Sequence, residues 1–179
     1  MSADAPAVSG NTVSTVNGEG KLSLTAVTDS TLTALGGEGQ NYLVNGVQCA
    51  APQTPGKTWG RIEISPIGEN KIDHMLNVMT VCDKDAEAPD VIRLNCGKDA
   101  EGAYVAGNAA IFRKSREDLG SDIRFALPAP AYTYFSGLNE GEFAVLRNGE
   151  TVAALTVGDN QNLAAAELPA GELLLKKIG

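Results

Sequence analysis

From residue 123 to the end of the chain, extended segments of five to seven residues alternate with turn-forming residues in every gap. That rhythm leaves little room for anything but β-structure. The segments span residues 123–127, 131–135, 142–147, 151–157, 162–166 and 172–176. Between them stand Pro128-Ala129-Pro130, a glycine-bounded stretch over 137–141, Asn148-Gly149, Gly158-Asp159-Asn160 and Pro169-Ala170-Gly171. Short strands at such spacing, with turn chemistry between them, mark a sandwich or a barrel, and no sustained helical period competes with that reading.

The first half follows the same logic less regularly. Residues 13–16, 22–27 and 32–35 alternate apolar side chains with Thr and Ser, which sets one face of each strand on a core and the other in water. Asn17-Gly18 is a hairpin signal between the first two, and Asn45-Gly46 another between apolar neighbours. Segments 42–47 and 61–64 are separated by a loop containing Pro52, Pro55 and Gly56, which cannot be strand interior because proline removes a ladder donor. The longest apolar run, residues 73–82, does not alternate cleanly, so it reads as a central strand covered on both faces or as a bulged strand. Residues 83–89 form a charged loop, and 91–96, 103–105 and 109–114 supply three further strands.

The predicted fold is therefore all-β: an antiparallel β-sandwich, either two packed β-layers or a sandwich with a small C-terminal β-module. A composition shift over residues 98–107 divides a lead-in at 1–10, an N-terminal sandwich part at 11–106 and a C-terminal β-module at 107–179, with the two parts equally able to share one core.

A formal charge of −8, spread along the chain, argues against a nucleic-acid partner and against a polyanion held by bulk attraction. The nearest basic cluster, Arg113, Lys114 and Arg116, reads as a solvated strand end. No apolar run is long enough to predict a membrane span. Cys49, Cys82 and Cys96 share no metal-ligand spacing and read as three small buried hydrophobes, although Cys82 and Cys96 could close a hairpin. Asp83, Asp85 and Glu87 lack the glycine and the extended ligand set of a calcium loop. No cofactor or metal site is expected. The opening residues have neither the basic start nor the apolar segment of a signal peptide, so the chain is either cytoplasmic or, as the reading preferred here, a piece of a longer protein.

Reactive chemistry is sparse. His74 is the single histidine, and its neighbour Asp73 would point to the opposite face of a strand. Tyr42, Tyr104, Tyr132 and Tyr134 could act as acids, but strand tyrosines usually pack. No catalytic residue is assigned. Tyr132 and Tyr134, two residues apart, share one strand face and, with Trp59, are the candidate carbohydrate-binding residues, since aromatic rings stack on sugars.

Several motifs resemble the C-terminal β-rich region of heparinase II/III-type polysaccharide lyases. That family's Gly-Gly-x-Gly-x-x-Phe/Tyr-x-Val-Asp/Asn-Gly pattern stands here as Gly36-Gly37-Glu38-Gly39-Gln40-Asn41-Tyr42-Leu43-Val44-Asn45-Gly46. Its Trp-Arg-x-Glu-Val-Ser-Pro is matched, with one extra residue, by Trp59-Gly60-Arg61-Ile62-Glu63-Ile64-Ser65-Pro66. Where the family carries Asp-x-Phe-Leu-His-Val-Leu, Asn77 takes the histidine's place, so no imidazole role carries over. The resemblance implies a non-catalytic accessory domain whose partner is a catalytic toroid of helices on the same polypeptide, in a parent protein that is a secreted or periplasmic lyase. The alternative is an independent carbohydrate-binding module with a polysaccharide partner, and the third reading is a lyase in its own right.

Overall fold

The computed structural model describes residues 5–37, 40, 42–49, 59–115 and 122–179. Among them there is no helix and there are seventeen strands, so the chain is all-β as its turn rhythm predicts. It divides into two compact units, Met1–Pro89 and Asp90–Gly179. The seam expected at residue 106/107 instead falls at the tip of a hairpin, where Val105 pairs with Asn108, so both sides of it belong to one sheet.

In the first unit, β1 (Ala7–Ser9), β2 (Thr12–Asn17), β3 (Gly20–Ala26) and β8 (Asn77–Asp83) form an antiparallel sheet in the order β1-β2-β3-β8. Part of the expected lead-in is thus a strand. The Asn17-Gly18 signal produces the β2–β3 hairpin one position later than written: Asn17 pairs with Gly20, and the turn is Gly18-Glu19, with Gly18 at φ 60°. Two small ribbons complete the unit. One joins β4 (Ser30–Gly36) to β7 (Gly60–Pro66), and the other joins β5 (Leu43–Val44) to β6 (Val47–Gln48) across Asn45-Gly46, whose φ values of 49° and 77° are those of a type I′ turn.

The longest apolar run differs from expectation. Only Asn77–Asp83 is strand, it alternates without a bulge, and it lies at the sheet edge rather than the centre, leaving Met79 67% and Val81 76% exposed. Buried apolar side chains in this unit, among the described residues, are Val13, Ala26 and Val27. Ser23 and Thr28 are its buried polar residues, and the Thr28 hydroxyl accepts a hydrogen bond from the Leu76 amide at 3.1 Å.

The second unit is a sandwich. One sheet runs β16-β13-β11-β10-β9, from β9 (Val91–Leu94), β10 (Ala100–Val105), β11 (Asn108–Arg113), β13 (Ala131–Ser136) and β16 (Leu163–Leu168). The other runs β12-β17-β14-β15, from β12 (Ile123–Leu127), β14 (Gly141–Arg147), β15 (Glu150–Val157) and β17 (Gly171–Lys177). Pairing is antiparallel except between β11 and β13. Strict alternation supplies the core: Ile123, Phe125 and Leu127 from β12 face Ala131, Thr133 and Phe135 from β13, while the residues between them point outward or lie half-buried. Phe125 and Phe135 meet edge to face across the sheets at 5.6 Å, and both sheets contribute to one continuous apolar cluster.

Candidate functional site

The outer face of the five-stranded sheet carries the tyrosine pair. Because β13 buries 131, 133 and 135, its period of two turns Tyr132 and Tyr134 outward, where they are 42% and 41% exposed. Their ring centroids lie 5.1 Å apart with an interplanar angle of 73°. This is a corner rather than a flat platform: one ring offers a face and the other walls it.

The neighbouring strands explain why the rings stand proud. Tyr134 is aligned with Ala110 on β11 and Ala165 on β16, two methyl side chains that reach no further than the sheet surface. Tyr132 is aligned with Asn108 and Glu167, which set an amide and a carboxylate on either side of its ring. Phe112, 43% exposed, and Leu163, 50% exposed, align with Ser136 and extend the apolar surface along the same face. Aromatic, small and hydrogen-bonding side chains thus adjoin one another on this face.

Beyond Ser136 the strand enters a cleft of about 610 Å³ lined by Asn139, Glu140, Gln161, Asn162 and Lys177 among others. The backbone carbonyl of Asn162 accepts from the Gly137 amide at 2.9 Å, and Lys177 Nζ donates to the Glu140 carbonyl at 2.9 Å. At the β9–β10 side of the sheet, Glu101 pairs with Lys114 at 2.7 Å and with Arg93 at 3.2 Å. Lys114 of the basic triplet is thereby held in an ion pair, on a carboxylate that it shares with Arg93; Arg116 lies outside the described residues.

The other expected residues go elsewhere. Trp59 belongs to the first unit, half-buried, with its carbonyl accepting from the Gly37 amide at 2.9 Å. A Cβ added to Gly36 would lie 2.7 Å from the indole Cε3, so the ring covers the glycine backbone. Tyr104 faces inward against the core of the second unit. His74 is exposed in the approach to β8, outside any strand, and the adjacent Asp73 carboxylate accepts from the Asn70 amide at 2.9 Å. The cysteines are free and not uniformly buried: Cys49 is exposed, Cys82 half-buried and Cys96 buried. Burial, reinforced by the Glu101 charge and opposed by Lys114 and Arg93, pushes the Cys96 thiol up to about 12. That is the wrong direction for a nucleophile.

Phe112, Asn108 and Glu167 were not singled out by the sequence. Phe112 has a usable signal, since alternation from the apolar Ile111 places it outward, but its meeting with β13 depends on a parallel pairing that no local pattern encodes. Among the described residues no helix is long and apolar enough to cross a membrane. No known family model and no curated protein matches the chain, so the likeness of its motifs to heparinase II/III-type lyases rests on the quoted residues alone.

Proposed function

We propose that this chain is a non-catalytic glycan-binding β-sandwich protein that serves a polysaccharide-acting partner, with Tyr132 and Tyr134 as the stacking residues. The observation that carries this reading is the exposed tyrosine corner, flanked by alanines on one rung and by Asn108 and Glu167 on the next. The charge balance selects a neutral glycan. Glu167 beside the ring and a formal charge of −8 repel uronates, while the cations Arg93 and Lys114 stand at the β9–β10 side of the sheet, both held to Glu101.

Affinity electrophoresis and calorimetry against neutral polysaccharides (β-glucans, mannans, xylans) and acidic ones (alginate, chondroitin, heparan) test this directly. Retention by a neutral glycan is expected, and Tyr134→Ala should weaken it at least about tenfold, roughly 1.4 kcal/mol, with unchanged far-ultraviolet circular dichroism. Silence on every neutral glycan, or full retention by the Tyr132→Ala/Tyr134→Ala double variant, would sink the proposal.

A second reading, an accessory domain bracing a lyase toroid, is favoured by one feature of the first unit. The β4–β7 ribbon sets Gly36 opposite Gly60, so the two motif halves lie side by side, and the Trp59 ring closes over Gly36. Co-purification with a lyase catalytic domain in the absence of any glycan binding would favour it over the first.

A further inference from the structure

We infer that β8 is a self-pairing edge through which two copies of this chain associate, its register centred on Thr80. The inference concerns the first unit and is independent of the glycan reading. Two hydrogen bonds fix which way the strand's backbone points. The Lys84 amide donates to the Glu19 carbonyl at 2.8 Å, and the Val27 amide donates to the Leu76 carbonyl at 2.8 Å. Both continue the β3–β8 register, in which Gly20 pairs with Asp83 and Ala26 with Asn77. Even-numbered residues of β8 therefore bond to β3, and the N–H and C=O groups of Asn77, Met79, Val81 and Asp83 point away from it. Among the described residues no strand pairs with that outer edge.

Among the described residues the edge carries none of the usual protections. Between Asn77 and Cys82 there is no proline and no charge, and the register runs without a bulge. At the opposite edge of the same sheet, β1 has three residues and follows Pro6, so it is too short to offer a comparable template. Association through β8 is thus isologous and closes at two copies instead of growing into a fibre.

Among antiparallel self-registers, one satisfies every outward group while matching like with like. Centred on Thr80, it exchanges hydrogen bonds between Met79 and Val81 of the other copy and between Asn77 and Asp83 of the other copy, and it sets Thr80 opposite Thr80 as a non-hydrogen-bonded pair. Apolar meets apolar, an amide meets a carboxylate, and no like charges face each other. A register centred on Met79 leaves Asp83 beyond the last rung, and one centred on Val81 sets Met79 against Asp83. The pairing also brings together the two exposed apolar side chains of the strand, Met79 and Val81, and Leu24 and Leu22, which pair with them on β3, continue the same apolar strip.

Sedimentation of the full chain over a concentration series tests association, and a cysteine cross-link tests register. Wild type is expected to reach twice the 18.6 kDa chain mass, and Val81→Lys, at a position exposed enough to leave the fold intact, to weaken association at least about tenfold. Opposed Cα atoms of a non-hydrogen-bonded pair lie about 4.5 Å apart, within disulfide reach. Thr80→Cys in a Cys49→Ser/Cys82→Ser background should therefore form a reducible covalent dimer on mild oxidation. A wild type that stays monomeric at high concentration overturns the inference. So does a dimer indifferent to Val81→Lys, or one in which Thr80→Cys fails to cross-link.

Discussion

Cys96 shows how a single side chain ties the packing of the second unit to pH. Its sulfur sits where a Cβ on Gly102 would come within 3.0 Å, so glycine at that position is what lets the thiol enter the sheet. Buried there, the thiol holds its proton up to about 12, against 9.0 for an ordinary cysteine. Between those two values the unfolded chain binds fewer protons than the folded one, so the contribution is whole below about 9 and is lost as pH rises toward about 12. Unfolding free energy should therefore fall more steeply through that window in wild type than in Cys96→Ala, measured by denaturant titration at stepped pH. Equal slopes would mean the thiol is not held protonated. Thiol titration of the native protein should correspondingly label the exposed Cys49 and spare Cys96 until the chain is unfolded. The sequence could not separate the three cysteines, because which of them is covered depends on strands far from each in the chain.

Turns set the next scale, and three of them invite comparison. Asn45-Gly46, Asn148-Gly149 and Ala106-Gly107 are all two-residue hairpin turns with both residues at positive φ, the first residue at 49°, 53° and 46° respectively. Asparagine tolerates that region, whereas alanine there costs about 1–2 kcal/mol because its Cβ crowds the following carbonyl. Ala106→Asn is expected to raise the stability of the second unit by about 0.5–1 kcal/mol, and Asn148→Ala to lower it by a similar amount, both read from denaturant midpoints. A neutral Ala106→Asn would mean that the β10–β11 turn relaxes without strain. The two asparagine turns were legible in the sequence because their chemistry is local, and the outward parity of Tyr132 and Tyr134 was legible for the same reason. The alanine turn carried no such mark, and the seam was misplaced onto it. Residues 73–82 were misread in a related way: apolar content alone cannot distinguish a central strand from an unprotected edge, since that is decided by where β8 falls in the sheet order. Asn108 and Glu167 flank Tyr132 only because β11 and β16 sit on either side of β13, an arrangement that strand patterns leave open.

At the scale of the whole chain, the two units differ in what holds them. The second has Phe125, Phe135, Ile111, Ile123, Leu175, Val145 and Val157 fully enclosed in one apolar cluster drawn from both sheets. The first relies, among its described residues, on Val13, Ala26 and Val27, with Ser23 and Thr28 as buried polar residues. Since stability scales with apolar area removed from water, about 25 cal/mol per Å², the first unit should open before the second. The chain provides its own reporter for this. Trp59 is the single tryptophan and belongs to the first unit, so its fluorescence follows that unit alone. In a denaturant titration the tryptophan signal is expected to change at lower denaturant than the near-ultraviolet dichroism of the second unit's aromatic core. Residues 90–179 expressed alone should keep the later transition. If β8 pairs two copies, the earlier midpoint should also climb with protein concentration while the later one stays fixed, because binding stabilises only the unit that carries the interface. Coincident transitions at every concentration would show instead that the two units fold as one cooperative body.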